Sequence, residues 1–390
     1  MSNIWDELKN MNKKHALIIG GSNGIGLAIA TILQEEGYYI DIADRTEPEN
    51  IALDVGHFHQ VNLVNNEFDF LDKCNDIDTL VLTVGFGRVA PFEKITEAEV
   101  DNSLKVNTLS VLRALHHFFP KMQSTEVFNC VVMGSISGHI CSPLMATYAA
   151  SKAAVCRFIE SLNIELEACG SLNRILDVSP GSIKGTRFNG GNNDLDATLP
   201  LAREIVERMR QQQTLFIPQY NETFASVLTR YNEDPHRFGM DSYRYKMECG
   251  RLNIVPQVTI GYLSGTFDLF HIGHLNIIRR AKQHCDYLVV GVHKDGSHKG
   301  KDVFIPFEER VDIIKSIKYV DKVIQSERED CDVYLKGIVK YDKLFVGSDY
   351  KGTERFNRYE QIFADKGVEI VYFPYTTGTS STQLRAYLSK

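Results

Sequence analysis

Tyr148 and Lys152 stand four residues apart in the stretch YAASK, the spacing of two side chains on one face of a helix. A tyrosine can donate a proton to a carbonyl that is being reduced, although its free pKa of ~10 is high for reversible transfer near neutrality. The Lys152 ammonium favours the phenolate and is expected to lower that pKa. Ser135, at the end of the stretch VVMGS, could hydrogen-bond the same carbonyl oxygen. These three residues predict a carbonyl reduction or its reverse.

A second set of chemical groups lies in the stretch GTFDLFHIGH, where His271 and His274 stand three residues apart. At the start of a helix both side chains can point the same way. A metal site would need a third ligand, which this spacing does not supply, and a capping role would not explain Gly273 between them. Nucleotide transfer explains all three residues, because two imidazoles at a helix N-terminus can stabilise charge on phosphate oxygens during attack on a triphosphate. We therefore predict nucleotidyl transfer, and no metal site made by the protein itself.

A third pattern, GGSNGIG, places Gly20, Gly24 and Gly26 between an apolar strand and a helix. Glycine there lets a pyrophosphate approach the helix N-terminus, although such turns also join strands to helices without any ligand. Asp44 follows the next strand at about the ~20-residue spacing of a carboxylate that binds an adenosine ribose. That carboxylate favours NAD, whereas the neighbouring Arg45 would accommodate the 2′-phosphate of NADP. The pattern predicts a dinucleotide site and leaves NAD and NADP open.

The elements that hold these motifs follow from the alternation of strand-like and helical stretches. Short apolar runs such as HALII, TLVLTVG and YLVVGV alternate with amphipathic helical stretches on both sides of an interruption at 187–256. Such alternation predicts right-handed βαβ units, and hence an α/β fold with two Rossmann-like, doubly wound parallel-sheet domains. We place the domains at residues 1–250 and 257–390 and expect polar, irregular structure through much of the interruption.

Composition narrows the classes of partner and the compartment. The 390 residues carry a formal net charge of −7, which argues against nucleic acid or an anionic membrane as a partner. The eight cysteines are scattered without a CxxC pair, which favours a reducing compartment. The polar first residues do not resemble a signal peptide, and the apolar runs fall short of the ~20 residues that span a bilayer. We expect a cytoplasmic enzyme that acts on small molecules.

Residues from about 14 to 230 resemble the short-chain dehydrogenase/reductase family, Rossmann-fold enzymes that use NAD(H) or NADP(H). The matching stretches are GGSNGIG, TVGFG, VNT, GSISG, YAASK and SPGSIKGT. The resemblance implies that Tyr148 is the catalytic acid/base and that Ser135 orients the carbonyl. It also implies that Lys152 binds the nicotinamide ribose and that Asn107 supports a proton relay. The implied cofactor-binding residues are Gly20, Ser22, Asn23, Gly24, Ile25, Gly26, Asp44, Arg45, Gly85, Tyr148, Lys152, Pro180, Gly181 and Thr186.

Residues from about 257 to 390 resemble the nucleotidyltransferases with an HxGH signature, most of all the glycerol-3-phosphate cytidylyltransferases. Supporting stretches are PFEER, VGSDYKG and TSST. Leu269 stands where related adenylyltransferases have proline, which favours CTP over ATP, whereas Tyr375 in place of a usual arginine and the stretch SSTQLR point the other way. The resemblance implies catalysis by the two histidines and binding of CTP with Mg²⁺. The implied CTP-binding residues are Gly265, Thr266, Phe267, His271, His274, Lys301, Arg310, Ser380, Ser381 and Thr382.

Together the two resemblances imply one pathway in one chain. The first domain would reduce a phosphorylated ketose, such as ribulose 5-phosphate, to an alditol phosphate with NAD(P)H. The second would couple it to CTP, giving a CDP-alditol and pyrophosphate for teichoic-acid or capsule synthesis. Arg88, Lys184 and Arg187 could hold the ketose phosphate, although an ordinary surface charge is the favoured role for each of them singly. The alternative is a cytidylyltransferase for another phosphorylated alcohol, fused to an unrelated or regulatory NAD(P)-binding domain. Both families imply a homo-oligomer, either a dimer or a tetramer.

Overall fold

The computed structural model describes residues 14–48, 53, 55–189, 192–250, 252, 258–295, 303–374 and 384. The chain forms two compact units, residues 1–255 and 256–390, each built around its own sheet. In both units the neighbouring strands run parallel, which gives the α/β class that the alternating pattern predicted. Within the described ranges, no helix combines the length and the apolar character needed to cross a membrane.

The first unit contains a seven-stranded sheet in the order β3-β2-β1-β4-β5-β6-β7. The order reverses between β1 and β4, and doubly wound sheets bind ligands in the crevice at the carboxyl ends of such strands. The strands are β1 (His15–Ile19), β2 (Tyr39–Asp44), β3 (His57–Gln60), β4 (Thr79–Leu82), β5 (Asn129–Met133), β6 (Ile175–Val178) and β7 (Leu215–Phe216). The helices are α1 (Gly24–Glu35), α2 (Glu97–Leu104), α3 (Ser110–Met122), α4 (Ala146–Ala168), α5 (Leu195–Arg210), α6 (Ala225–Glu233) and α7 (Pro235–Glu248).

Strand β1 contributes to the core on both faces of this sheet. Leu17 and Ile19 pack into the apolar cluster on one face, whereas Ala16 and Ile18 belong to the cluster on the other. Successive side chains of a strand point to opposite faces, so a continuous apolar run requires cover on both sides. Helix α1 supplies part of that cover, and Leu27, Ile29, Ala30 and Leu33 are buried as the sequence predicted.

The second unit contains a five-stranded sheet in the order β10-β9-β8-β11-β12. Its order reverses between β8 and β11, so the expected ligand crevice lies at the carboxyl end of β8. The strands are β8 (Ile260–Gly265), β9 (Tyr287–Val292), β10 (Lys322–Gln325), β11 (Lys343–Gly347) and β12 (Glu369–Phe373). The helices are α8 (Ile272–Gln283), α9 (Phe307–Lys315), α10 (Asp330–Leu335) and α11 (Glu354–Phe363).

The prediction of irregular structure between residues 187 and 256 was wrong for most of that stretch. Helix α5 begins at Leu195 inside the presumed loop, and α6 and α7 occupy the polar, aromatic stretch after it. Asp234 caps α7, where its side chain accepts a hydrogen bond of 2.9 Å from the amide of Arg237. Pro235 is the first residue of α7, where a missing N–H costs nothing. This cap, rather than a buried apolar stripe, marks the start of α7.

Candidate active sites

The glycine-rich turn joins β1 to α1 at the crevice of the first sheet. Gly20 has a φ of +92°, a left-handed backbone that glycine adopts at little cost. A side chain at Gly26 would place its Cβ 2.2 Å from the carbonyl oxygen of Gly20, so the helix start can pack here only with glycine. The amide of Gly24 donates to Asn193 Oδ1 at 2.8 Å, and Thr186 lies 3.5 Å from where a Gly24 Cβ would be. The turn forms a cradle at the start of α1, the place where a dinucleotide pyrophosphate binds in folds of this kind.

Replacing Gly26 with alanine should weaken dinucleotide binding by at least about 10-fold, because the added Cβ would displace the turn. The measurement is titration of the protein with NADH and with NADPH, followed by the fluorescence of the reduced nicotinamide. Gly37→Ala is the control: Gly37 has a positive φ, of +87°, but no atom lies within 4 Å of its Cβ position. The control should lose stability without losing affinity. Unchanged affinity in Gly26→Ala would contradict the assignment of this turn.

Asp44 lies at the carboxyl end of β2, beside the glycine-rich turn. Its Oδ2 accepts a hydrogen bond of 3.1 Å from the amide of Ser22, and its Oδ1 accepts one of 2.7 Å from the amide of Arg45. The carboxylate is therefore held against the turn with the exposed Arg45 side chain next to it. Asn23 is the N-cap of α1, and Ile25 is buried in the core, so Ile25 can present only its main chain to a ligand.

Tyr148 lies near the start of α4, opposite Ser135 at the end of β5. Burial raises the pKa of Tyr148 to about 12, and its hydrogen bond with Ser135 offsets only part of that shift. The phenol is therefore protonated at neutral pH, which is the form that can donate a proton to a carbonyl oxygen. The tyrosine and the serine meet as predicted, but the expected lowering of the tyrosine pKa was wrong.

The position of Lys152 explains that difference. Its Nζ donates a hydrogen bond of 2.7 Å to the carbonyl oxygen of Met133 and lies 5.9 Å from the centre of the Tyr148 ring. The ammonium is thus directed to the end of β5 rather than to the phenolic oxygen. Burial lowers the pKa of Lys152 to about 8, because the charged form loses its hydration.

Asn107 lies on the turn of π-helix (Lys105–Leu109) that separates α2 from α3. Its Oδ1 accepts from the amide of Phe86 at 2.9 Å, and its Nδ2 donates to the carbonyl of the same residue at 2.9 Å. Gly85 precedes this contact, and a Cβ on Gly85 would lie 3.2 Å from Lys152 Nζ and 3.4 Å from Asn107 Oδ1. The structure therefore brings Asn107, Gly85 and Lys152 together, and single π-turns of this kind are frequent at functional sites.

The segment after β6 lies on the other side of the crevice. The carbonyl of Pro180 accepts a hydrogen bond of 3.0 Å from the amide of Ile136, the residue after Ser135. Gly181 follows, and a Cβ there would lie 2.5 Å from Cζ of Phe224, which requires glycine. The predicted residues Pro180 and Gly181 therefore adjoin the tyrosine site through the β5 connection.

Two residues beside Tyr148 were missed by the sequence reasoning. The ring of Phe188 lies 5.0 Å from the Tyr148 ring, measured between centroids. A Cβ on Gly87 would lie 2.7 Å from Cδ2 of Tyr148, so glycine lets the tyrosine ring pack against the β4 connection. Gly87 stands in the stretch TVGFG and could have been identified there, whereas no sequence signal singles out Phe188.

In the second unit, His271 is the N-cap of α8, and His274 lies in its first turn. The Nδ1 atom of His271 accepts a hydrogen bond of 3.0 Å from the amide of Gly273. Because that nitrogen is the acceptor, the single proton of the neutral ring lies on Nε2. Burial lowers the pKa of His271 and so favours the neutral ring. The two imidazole rings stack with their centroids 4.0 Å apart, so the two side chains lie together at the start of α8, as their spacing predicted.

The loop between β8 and α8 has an unusual backbone. Phe267 and Leu269 have φ values of 52° and 49°, a left-handed conformation that costs bulky residues free energy and is concentrated at functional sites. Asp268 between them is buried, and its carboxylate accepts hydrogen bonds of 2.9–3.2 Å from the amides of Phe304 and Ile305. These bonds fix the loop that leads into the two histidines.

Gly265 and Thr266 form the start of this loop. A Cβ on Gly265 would lie 2.9 Å from Cζ of Phe267, and the Phe267 ring lies 5.5 Å from the His274 ring. The Thr266 hydroxyl is buried and has no hydrogen-bond partner within the described part of the chain. A buried hydroxyl in that state costs free energy unless a ligand satisfies it, which fits a nucleotide at this loop.

Arg310 was predicted to bind CTP, but in the structure its side chain hydrogen-bonds to main-chain carbonyls. Arg310 is buried, and its nitrogen atoms donate to four main-chain carbonyls at 2.5–2.8 Å, those of Thr266, His293, Lys294 and Ile305. The arginine therefore holds the histidine loop against the end of β9 and the start of α9. With four of its five N–H groups donated to the protein, we expect it to act on CTP by positioning these loops.

Four predicted CTP contacts lie outside the described residues, and these are Lys301, Ser380, Ser381 and Thr382. The predicted closing helix from Thr382 also lies outside them, apart from residue 384. The described part of the CTP site therefore consists of the β8–α8 loop, the start of α8 and the arginine that supports them.

Comparison with known proteins agrees with this division into two chemistries. Residues 14–196 match the family model for short chain dehydrogenases, and residues 262–387 match the cytidylyltransferase-like model. The chain is also 36% identical over 126 residues to the glycerol-3-phosphate cytidylyltransferase of Bacillus subtilis (strain 168), covering 31% of this chain and 90% of that protein. The chain joins a short-chain dehydrogenase to a cytidylyltransferase. Both of its domains belong to enzyme families.

Two further relatives match shorter shares of their own length. Dehydrogenase RED2 of Cochliobolus heterostrophus (strain C4) is 29% identical over 169 residues, which are 41% of this chain and 64% of that protein. Bifunctional protein HldE of Hyphomonas neptunium is 36% identical over 133 residues, which are 33% of this chain and 26% of that protein. The chain therefore spans nearly the whole of the bacterial cytidylyltransferase but only parts of these two proteins.

Proposed function

We propose that the dehydrogenase domain reduces a phosphorylated ketose to an alditol phosphate with NAD(P)H, and that the cytidylyltransferase domain couples this product to CTP. The second reaction releases pyrophosphate and gives a CDP-alditol, a donor for teichoic-acid or capsule synthesis. The proposal rests on one observation: a tyrosine–serine–lysine site and a two-histidine site occur in the same chain. The relative matched over most of its length is named for a phosphorylated polyol, and reduction of a ketose phosphate produces that chemical class.

In the reduction, Tyr148 gives its phenolic proton to the substrate carbonyl oxygen, and Ser135 hydrogen-bonds the same oxygen. When bound, NAD(P)H supplies the hydride that adds to the carbonyl carbon. The glycine-rich turn takes the pyrophosphate at the start of α1, and Asp44 accepts from the adenosine ribose. The buried Lys152, held at Met133, lies beside Gly85, where it can bind the nicotinamide ribose.

The structure changes the candidates for binding the ketose phosphate. Arg88 is buried, and its Nε and Nη2 donate to the two carboxylate oxygens of Glu99 at 2.7 and 2.9 Å, so its suggested role in phosphate binding was wrong. Lys184 and Arg187 are exposed after β6. Arg187 precedes Phe188, whose ring contacts the catalytic tyrosine, and we assign the ketose phosphate to this side of the crevice.

In the transfer, a phosphate oxygen of the alditol phosphate attacks the α-phosphorus of CTP. The new phosphorus–oxygen bond forms as the bond to the β-phosphate oxygen breaks, and pyrophosphate leaves with that electron pair. His271, through Nε2–H, and His274 donate to the phosphate oxygens on which negative charge increases. Mg²⁺ enters with the triphosphate.

The test is mass spectrometry of one reaction mixture containing the protein, CTP, Mg²⁺, NADH and NADPH, and one ketose phosphate. Ribulose 5-phosphate, xylulose 5-phosphate and dihydroxyacetone phosphate are each supplied in turn. A CDP-alditol should appear with one of them, and should disappear when ketose, reduced cofactor or CTP is omitted. Omitting NADH or NADPH singly then identifies the cofactor.

A second arm supplies alditol phosphates and other phosphorylated alcohols directly, without ketose or reduced cofactor. Product from a supplied alcohol phosphate, with none from any ketose, would favour a cytidylyltransferase joined to an unrelated or regulatory dinucleotide-binding domain. Replacing CTP with ATP in the same arm distinguishes cytidylyl from adenylyl transfer. No product from any substrate, with folded protein, would contradict the proposal.

A further inference from the structure

A cluster of ionisable side chains lies away from the glycine-rich turn, on the edge strand β3 of the first sheet and on its neighbour β2. Asp41 of β2 is paired in register with His57 of β3, and His59 lies two residues further along β3. Cys74 follows a short 3₁₀ turn (Leu71–Lys73) and is fully buried beneath them. The dinucleotide cradle is at the carboxyl ends of the strands, so the catalytic chemistry does not use this cluster.

Three atoms of the cluster form a nearly equilateral triangle. Cys74 Sγ lies 3.5 Å from His59 Nε2 and 3.8 Å from Asp41 Oδ2, and the last two atoms are 4.0 Å apart. A tetrahedral zinc ion with bonds of ~2.0–2.3 Å to oxygen, nitrogen and sulfur would place its ligand atoms about 3.4–3.6 Å apart. The separation of 4.0 Å between the histidine nitrogen and the carboxylate oxygen is too long for a hydrogen bond and about 0.6 Å longer than that edge of the tetrahedron, so binding would draw these two atoms together.

We propose that Asp41, His59 and Cys74 bind a zinc ion at the edge of the dehydrogenase sheet, separate from both active sites. Sulfur, imidazole and carboxylate together are a typical zinc ligand set, and the fourth position would be taken by water. The ion links strands β2 and β3 to the connection that leads to β4.

The neighbours of the triangle hold the carboxylate as an outer shell would. His15 Nε2 lies 3.0 Å from Asp41 Oδ2, and the amide of His57 donates to Oδ1 at 2.9 Å. Second-shell groups support metal sites by fixing the orientation of a ligand in this way. Burial opposes ionisation of Asp41, but the hydrogen bond with His15 and the charge of protonated His15 hold the pKa of Asp41 below the usual value.

The protonation states of His59 and Cys74 fit zinc binding in which the ion replaces the proton of the thiol. Burial lowers the pKa of His59, so its imidazole is neutral and its lone pair available. Burial and the Asp41 charge raise the pKa of Cys74 to about 12, so the free side chain is a thiol. Zinc therefore binds as the thiol releases its proton to solvent, forming the zinc–thiolate bond.

A second cluster of the same residue types shows the contrast. His139, Cys156 and Asp177 also lie close together, but the hydroxyl of Ser179 lies among them. That hydroxyl donates to Asp177 Oδ1 at 2.8 Å and lies 3.0 Å from His139 Nε2 and 3.6 Å from Cys156 Sγ. Hydrogen bonds of the Cys74 thiol also connect the Asp41 triangle, but among the described residues that triangle has no central hydroxyl that would occupy the position of an ion.

The test is metal binding by the full chain after dialysis against a chelator. Titration with Co²⁺ should give one site per chain with the near-ultraviolet charge-transfer band of a cobalt–thiolate bond, and Zn²⁺ should displace it. Zinc should also raise the melting temperature. Cys74→Ala should abolish the thiolate band, and Cys130→Ala, which removes another buried cysteine of the same core, should retain it.

His59→Gln keeps the test decisive if Cys74→Ala fails to fold, because the His59 side chain is partly exposed and is not part of the apolar core. This variant should weaken zinc binding by about 100-fold or more, because loss of a group that only supports a ligand already costs about 10- to 100-fold. Absence of a thiolate band in the wild-type protein would overturn the proposal. So would zinc binding that neither variant weakens, since the metal would then lie elsewhere.

Discussion

Replacing Tyr148 with phenylalanine should lower kcat for carbonyl reduction by about 10²- to 10⁴-fold, the contribution of a positioned general acid. The variant removes only the phenolic oxygen, so the ring can still pack against Phe188 and Gly87. Steady-state oxidation of NAD(P)H with the ketose identified by mass spectrometry measures the loss. Affinity for the dinucleotide should change little, because Lys152 and the glycine-rich turn are intact.

The pH dependence of the wild-type rate of reduction also tests Tyr148 as the proton donor. Because burial raises the pKa of Tyr148 to about 12, the proton needed for reduction is present throughout the neutral range. Loss of the Tyr148 proton should therefore not slow reduction below about pH 11, and a change in rate near pH 8 would report deprotonation of Lys152, whose pKa burial lowers to about 8. Tyr243→Phe, which alters an exposed tyrosine, is the control and should keep full activity. Comparable activity in Tyr148→Phe would contradict the assigned proton donor.

Replacing His274 with alanine should lower kcat for cytidylyl transfer by roughly 10²- to 10³-fold, the usual cost of removing one donor to a transition-state oxygen. Its ring stacks on His271 at 4.0 Å, so both imidazoles are expected to serve one phosphate. Pyrophosphate release from CTP, with an alditol phosphate supplied directly, measures the effect. Reduction of the ketose should continue in this variant, and alditol phosphate should accumulate.

The matched control for this variant lies on the same helix. His284→Ala changes an exposed histidine at the other end of α8, where the ring packs against Phe345 and Phe373. It should cost some stability and leave pyrophosphate release within about twofold of wild type. Equal loss in His284→Ala and His274→Ala would indicate damage to the helix rather than loss of a catalytic group.

The sequence predicted the fold well wherever periodicity carries the information. Strands such as β1 are buried on both faces, and an uninterrupted apolar run is a strong signal of that state. Strand β3, with the sequence HFHQ, lies at the sheet edge and has no such run. Helices α6 and α7 were missed for the same reason, since polar helices with narrow apolar stripes give weak periodicity.

The chemical groups were predictable from spacing, but their electrostatic state was not. Tyr148 and Lys152 share a helix face as their spacing requires, yet the direction of the tyrosine pKa depends on burial and on Met133, which is distant in sequence. Arg310 and Arg88 show the same limit. A sequence shows that an arginine is present, whereas the carbonyls or the carboxylate that engage its donors come from segments brought together only by folding.

The hydrogen bond from the amide of Gly24 to Asn193 means that the start of α1 already holds an acceptor. A dinucleotide pyrophosphate arriving at that amide would exchange one partner for another rather than satisfy an empty donor. The binding free energy then includes the difference between the hydrogen bond to the pyrophosphate and the hydrogen bond to Asn193 that it replaces. Asn193 directly precedes Asp194, the N-cap of α5. The arriving cofactor would therefore break a hydrogen bond that holds the start of that helix in place. Cofactor binding would then be coupled to a rearrangement of this edge of the crevice.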